Sequence, residues 1–67
     1  MNIFHQRLKE QRTEKNLSQK QLAAIIGTNN SSICDWERGR TEPGIEMIVR
    51  LSRYFEVSSD YLLGLED

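Results

Sequence analysis

Residues 17–40, LSQKQLAAIIGTNNSSICDWERGR, decide the fold. The first half of this stretch carries apolar residues at helical spacing, and Gly27 supplies the positive φ that ends such a segment. In the polar run that follows, Ile33 and Trp36 lie three residues apart and therefore share one face of a helix. We interpret the polar run as the outward surface of a helix over about residues 30–37, and not as a loop. The stretch thus predicts two short helices joined by a tight turn.

The side chains of this helix pair meet the demands of close packing. Ala23 is small at the point where the two helices cross, and Ser18 and Asn29 are suitable N-caps for their first turns. The apolar stripe expected on the first helix consists of Leu22, Ile25 and Ile26. Such a pair is a helix-turn-helix, here over about residues 18–37, and in DNA-binding proteins its second helix enters the major groove.

The segment before the pair predicts one further helix. Phe4 and Leu8 repeat at helical spacing through an otherwise polar stretch, and Asn2 is a usable N-cap. Asn16 can adopt the left-handed conformation that ends a helix.

The segment after the pair predicts two more helices, beyond a loop that carries the only proline. Residues 45–55 place apolar side chains at helical spacing, and Ser58 or Ser59 then caps a last short helix that Gly64 closes. The stripe expected on the longer of the two is Ile45, Ile48, Leu51 (or Ser52) and Phe55. Five short helices with brief connections indicate a compact all-α fold in which residues 1–67 form a single domain.

Composition limits what can hold this domain together. At 67 residues the chain buries only roughly 60% of the surface that its unfolded form exposes, so its core is thin. The single cysteine cannot form an internal disulfide, and one cysteine with one histidine does not make a metal site. Neither a metal nor a cofactor is therefore expected. The sequence has no apolar run long enough to cross a membrane and no export leader, which predicts a protein of the reducing cytoplasm.

The net charge of −1 is low for a protein that binds a polyanion. Its distribution is uneven, since residues 1–45 contain seven basic and five acidic residues, whereas residues 46–67 contain two basic and five acidic ones. One end of the domain can therefore face nucleic acid while the other end faces away.

Nearly the whole chain resembles the phage-repressor and Cro-like helix-turn-helix family, also called the XRE family. The pieces that carry the resemblance, in matching order and spacing, are LSQ at 17–19, LA at 22–23, Gly27, WERGR at 36–40, Pro43 and SSDYLLG at 58–64. The resemblance implies a five-helix, phage-repressor-like domain that binds duplex DNA sequence-specifically and regulates transcription, with repression as the first expectation. It also implies a homodimer on an inverted-repeat operator.

The same resemblance assigns candidate DNA contacts. Gln19 matches a glutamine that anchors a DNA phosphate at the start of the first helix of the pair, where free backbone N–H groups also face anions. Arg38 and Arg40 lie in a loop that the family places along the DNA backbone. Arg12 and Glu37 match an ion pair that ties the first helix of the domain to the end of the recognition helix. The positions matched to phosphates or base edges are Asn29, Asn30, Ser31 and Asp35.

Each candidate contact has an ordinary structural alternative. The amide of Asn30 can pair with N6 and N7 of adenine, or it can be a solvated side chain in a first turn. The hydroxyls of Ser31 and Ser32 can bind a phosphate, a base or their own backbone. The Asp35 carboxylate can accept from cytosine N4, but it repels phosphates, so a solvated or arginine-paired aspartate is the alternative. Trp36 can stack on a base, although its place on the apolar face predicts a core residue.

Two other classes of function compete with DNA binding. A protein-interaction module, such as an antitoxin or an anti-regulator, can keep this fold and use its acidic half, but the intact LSQ and WERGR segments oppose that interpretation. An enzyme is not expected, because Cys34 has no histidine near it in sequence and the chain lacks a glycine-rich phosphate loop. The sequence does not name the operator, and it leaves open whether the chain is a complete regulator or the DNA-binding piece of a longer one.

Overall fold

Five α-helices make up most of residues 3–66, the part of the chain that the computed structural model describes. No strand occurs in this range, so the all-α fold class is confirmed. None of these helices is long and apolar enough to cross a membrane, and no three metal-ligating side chains are grouped within the same range. The helices are α1 (Phe4–Glu14), α2 (Gln19–Ile26), α3 (Asn30–Glu37), α4 (Ile45–Phe55) and α5 (Ser59–Leu63).

Side-chain caps set where three of the helices begin. The Ser18 hydroxyl accepts a hydrogen bond from the backbone N–H of Gln21 at 3.0 Å, and the Gln21 side chain accepts one from the Ser18 N–H at 2.8 Å. Together these bonds form a capping box at the start of α2. Asn29 caps α3 and Ser58 caps α5, each through its side-chain oxygen. The cap of the last helix is thus Ser58 and not Ser59.

Residues in the left-handed conformation follow α1, α2 and α5 at the expected places. Gly27 (φ 85°) follows α2 and Gly64 (φ 81°) follows α5, where glycine adopts a positive φ without the cost of a Cβ. Asn16, two residues after α1, has a φ of 57°. At the other end of α1, Ile3 makes no side-chain cap, and the expected cap, Asn2, lies outside the described residues.

One apolar core lies where the five helices meet. Each helix contributes one fully buried side chain, and these are Leu8, Leu22, Ile33, Leu51 and Leu62 in chain order. The other buried apolar side chains are Phe4, Ala23, Ile26, Trp36 and Phe55. Half of this core belongs to α2 and α3, so the packing that stabilises the domain also fixes the helix-turn-helix.

Two apolar residues expected in the core stripes are exposed, whereas Ile48 is partly buried against the core. Ile25 is 47% exposed and Ile45 is 85% exposed. Successive residues of a helix are about 100° apart. The covered face of α2 therefore passes through Leu22, Ala23 and Ile26, and Ile25 lies beyond its edge. Ile45 is the first residue of α4 and extends past the core. Both expectations were wrong, because periodicity alone does not show which edge or end of a stripe the neighbouring helices cover.

Candidate nucleic-acid interface

The recognition-helix candidate α3 separates an apolar side from a polar one. Ile33 and Trp36 are 0% and 7% exposed, and both pack in the core, as predicted for Trp36. The candidate contacts on the polar side are Asn30 and Ser31, which are exposed, and Ser32 and Asp35, which are half-buried. The polar run is therefore the outer surface of a helix that its apolar side holds onto the domain.

Asn29 caps this helix and is also exposed at its front. Its Oδ1 atom accepts the backbone N–H of Ser32 at 2.8 Å, which satisfies one of the donors that the first turn would otherwise leave without a helical partner. Because the oxygen caps the helix, the amide nitrogen is the group of Asn29 best placed to donate to a phosphate.

A charged cluster joins α1 and α2 to the end of α3. Arg12 donates to Glu37 twice, from Nε to Oε2 at 2.6 Å and from Nη2 to Oε1 at 3.0 Å, and its Nη1 donates to the Leu17 carbonyl at 2.7 Å. Gln19 Nε2 also donates to Glu37 Oε1, at 3.1 Å. The Glu37 side chain is 4% exposed and that of Arg12 is 12% exposed. The structure thus brings together the two residues of the expected ion pair, and it adds two partners that the sequence did not indicate.

The position of Gln19 lets it serve two partners at once. It is the first residue of α2 and is half-buried. Its amide nitrogen carries two N–H groups, so one can hold Glu37 while the other faces an anion in front of the helix. The first backbone N–H groups of α2 also point in that direction. The contact with Glu37 orients this side chain before any ligand arrives.

The Arg12 guanidinium keeps its positive charge at neutral pH. The hydrogen bond to Glu37 raises the pKa of the Arg12 guanidinium above its ordinary value, burial opposes this effect, and attraction to the Glu37 charge adds to it. A cationic group whose pKa is higher in the folded protein contributes stability that is fully present below its unfolded pKa. Deprotonation of Arg12 itself therefore removes this contribution only in strongly alkaline solution.

The loop after α3 carries two exposed arginines, Arg38 and Arg40, with Gly39 between them at a φ of 75°. Backbone bonds from Gly39 N–H to the Trp36 carbonyl (3.2 Å) and from Arg40 N–H to the Asp35 carbonyl (3.0 Å) hold the loop against the end of α3. Arg40 Nη1 also lies 4.0 Å from Asp35 Oδ1, and the side chains of Arg40 and Asp35 are 65% and 41% exposed. Arg40 is therefore a partner for Asp35, as the arginine-paired alternative requires. An exposed pair of this kind contributes only about 0–1 kcal/mol to stability.

Arg50 of α4 contacts the helix-turn-helix and was not among the sequence candidates. Its Nη1 donates to the carbonyl of Ile26, the last residue of α2, at 3.0 Å, and its Nη2 donates to Glu46 Oε1 at 2.7 Å. The i, i+4 spacing of Glu46 and Arg50 was a signal for their pairing. Nothing in the sequence indicated the contact with Ile26.

The sequence and the fold of this chain match those of known regulators. Residues 8–62 match the sequence profile of the helix-turn-helix family. The chain belongs to this family. The transcriptional activator BcrR of Enterococcus faecalis is 38% identical over 64 residues, which are 96% of this chain, and YobD, an uncharacterized regulator of Bacillus subtilis, is 38% identical over 65 residues, which are 97% of it. The chain spans 31% of the length of BcrR and 58% of that of YobD.

A solved structure extends this similarity to a phage repressor. The P22 c2 repressor, determined in complex with a synthetic operator, superposes on this chain with a TM-score of 0.90 at 32% identity. The superposition covers 98% of this chain and 100% of that chain. The resemblance to phage repressors inferred from the sequence motifs is confirmed.

Proposed function

We propose that this chain is a sequence-specific, duplex-DNA-binding transcriptional regulator that places α3 in the major groove. The observation that carries the proposal is the polar outer side of α3, presented by a helix-turn-helix whose fold matches that of an operator-bound repressor over nearly its whole length. A helix of this size fits the major groove, where each base pair presents a distinct pattern of donors and acceptors.

The candidate contacts divide into those that read bases and those that position the domain. Asn30 and Ser31 lie exposed in the first turn of α3, the part of a recognition helix that contacts base edges. The Asn30 amide is suited to the N6 and N7 atoms of adenine. The residues that we assign to phosphates are Gln19, Asn29, Ser32, Arg38 and Arg40.

The proposed active form is a homodimer that represses transcription by occupying an inverted repeat in the cytoplasm. A net charge of −1 gives one copy little general attraction to phosphates. Two copies on half-sites about 34–36 Å apart would double the specific contacts without raising the affinity of one copy. Repression is proposed ahead of activation because the P22 repressor is similar to this chain both in sequence, at 36% identity over 61 residues, and in its operator-bound structure, at a TM-score of 0.90. The chain spans similar shares of that repressor and of the activator, 28% and 31%.

Selection from a random duplex-DNA library, with the purified full chain at low salt, tests this function. We expect enrichment of an inverted repeat whose affinity falls steeply as salt rises, with a log–log slope of about −0.9 for each phosphate contact. If no sequence is enriched even at micromolar protein, where a weak dimer would form, the DNA-binding proposal is overturned in favour of the protein-interaction module.

Asp35→Ala is expected to raise the affinity for the selected operator by up to about fivefold at low salt without changing the preferred sequence. The substitution removes a negative charge from the side of α3 that faces phosphates and releases Arg40, which lies 4.0 Å away. Binding to the operator and to single-base-pair variants would be compared at two salt concentrations. Lost discrimination at one C·G pair would instead show that Asp35 reads cytosine.

A further inference from the structure

We propose that Arg50 is a positioning residue for the recognition helix. It reaches from α4 to the end of α2 and fixes the turn from which α3 starts. The inference rests on the proposed DNA-binding function, because it assigns Arg50 a role in how well α3 reads its operator rather than a contact with DNA.

Arg50 is held at both ends of its guanidinium fork. Nη1 donates at 3.0 Å to the carbonyl of Ile26, one of the last carbonyls of α2, which have no partner within the helix. Its positive charge also faces the negative end of the α2 dipole. Nη2 donates at 2.7 Å to Glu46, one turn earlier on α4, in an exposed pair that points the guanidinium towards α2 but contributes little to stability.

The guanidinium also packs against the turn itself. A Cβ built on Gly27 would lie only 2.9 Å from Arg50 Nη1, so the close approach depends on glycine at this position. Gly27 is separated by one residue from Asn29, the cap of α3. A shift of this turn would therefore pass directly to Asn29 and Asn30 at the front of the recognition helix.

A displaced recognition helix loses specificity before it loses general affinity. Hydrogen bonds to base edges need donor–acceptor distances of about 2.7–3.2 Å and good alignment. Attraction to phosphates falls off much more slowly with distance, over roughly a Debye length of 8–10 Å. Removing Arg50 should thus weaken operator binding more than binding to unrelated DNA.

The test compares Arg50→Met with Arg53→Met. Both are exposed arginines of α4 that line one shallow groove beside Ile26 and Gly27, but only Arg50 donates to the Ile26 carbonyl. For each variant, affinities for the selected operator and for unrelated duplex DNA are measured over a range of salt, with the folded fraction determined by circular dichroism. Arg50→Met is expected to reduce the ratio of the two affinities about tenfold, the discrimination of roughly one base contact, with the wild-type salt slope. Arg53→Met should keep the ratio, and Arg50→Lys, which retains one donor group, should recover part of it.

Two results would overturn the proposal. A uniform loss of affinity with a salt slope smaller by about one would make Arg50 a phosphate contact. A lower melting temperature with an unchanged affinity ratio would make it a cap that serves stability alone.

A second measurement separates this inference from the proposed function. If the wild-type protein selects no operator, the proposed function fails, and amide NMR spectra of the free proteins then test the positioning role. Shifts at Asn29, Asn30 and Ser31 in Arg50→Met support that role. Changes confined to α4 and the last turn of α2 contradict it.

Discussion

Trp36→Ala is expected to unfold most of the protein rather than to weaken DNA binding selectively. The Trp36 side chain is 7% exposed and belongs to the core, together with Ile33 of the same helix. Replacing a buried tryptophan by alanine costs about 3–5 kcal/mol. A domain of 67 residues has a total stability of only roughly 3–10 kcal/mol, so the loss is comparable with the whole. Urea unfolding followed by circular dichroism measures it directly.

Trp36→Phe serves as the control, because it keeps an aromatic ring in the core and should retain most of the stability. In both variants, operator binding should follow the folded fraction. If Trp36→Ala unfolds at the same urea concentration as the wild type but does not bind the operator, Trp36 has a role at the DNA surface that packing in the core does not explain.

Helix boundaries were predictable because their signals are local. Ser18 and Gly27 bracket α2, and the capping box and positive φ that they form involve residues within a few positions of each helix end. Asn29 and Gly39 mark α3 in the same way. The end of α4 shows the limit of such signals, since Glu56 takes a φ of 57° where the sequence offers no glycine.

Contacts between helices that are distant in sequence were not predictable from local patterns. The position of α4 determines whether Ile25 on α2 is covered or exposed. It also determines whether Arg50 can reach the end of α2. The hydrogen bond from Gln19 to Glu37 likewise requires the crossing geometry of α2 and α3. For Arg12 and Glu37, 25 residues apart, the family resemblance supplied an expectation that periodicity could not.

Arg12→Ala is expected to lower the free energy of unfolding by about 3–5 kcal/mol, because it leaves a buried carboxylate without its cation. The Glu37 side chain is 4% exposed and would keep a single described donor, Gln19 at 3.1 Å. The Leu17 carbonyl would lose the Arg12 bond as well. Urea unfolding at low and high salt measures the cost, which should persist at high salt because a buried pair is screened far less than a surface one. A loss below about 1 kcal/mol would place the pair in the class of surface salt bridges.

The double variant Arg12→Met with Glu37→Met separates the cost of a lone buried charge from the value of the pair. Apolar side chains of similar length in place of both charges are expected to bring the stability back near that of the wild type, since well-packed apolar replacements of buried ion pairs are often neutral or stabilising. Gln19 is half-buried, so its amide can turn to water once Glu37 is gone. If the double variant is as unstable as Arg12→Ala, the bidentate pair itself, and not the penalty of an uncompensated carboxylate, stabilises the junction between α1 and the recognition helix.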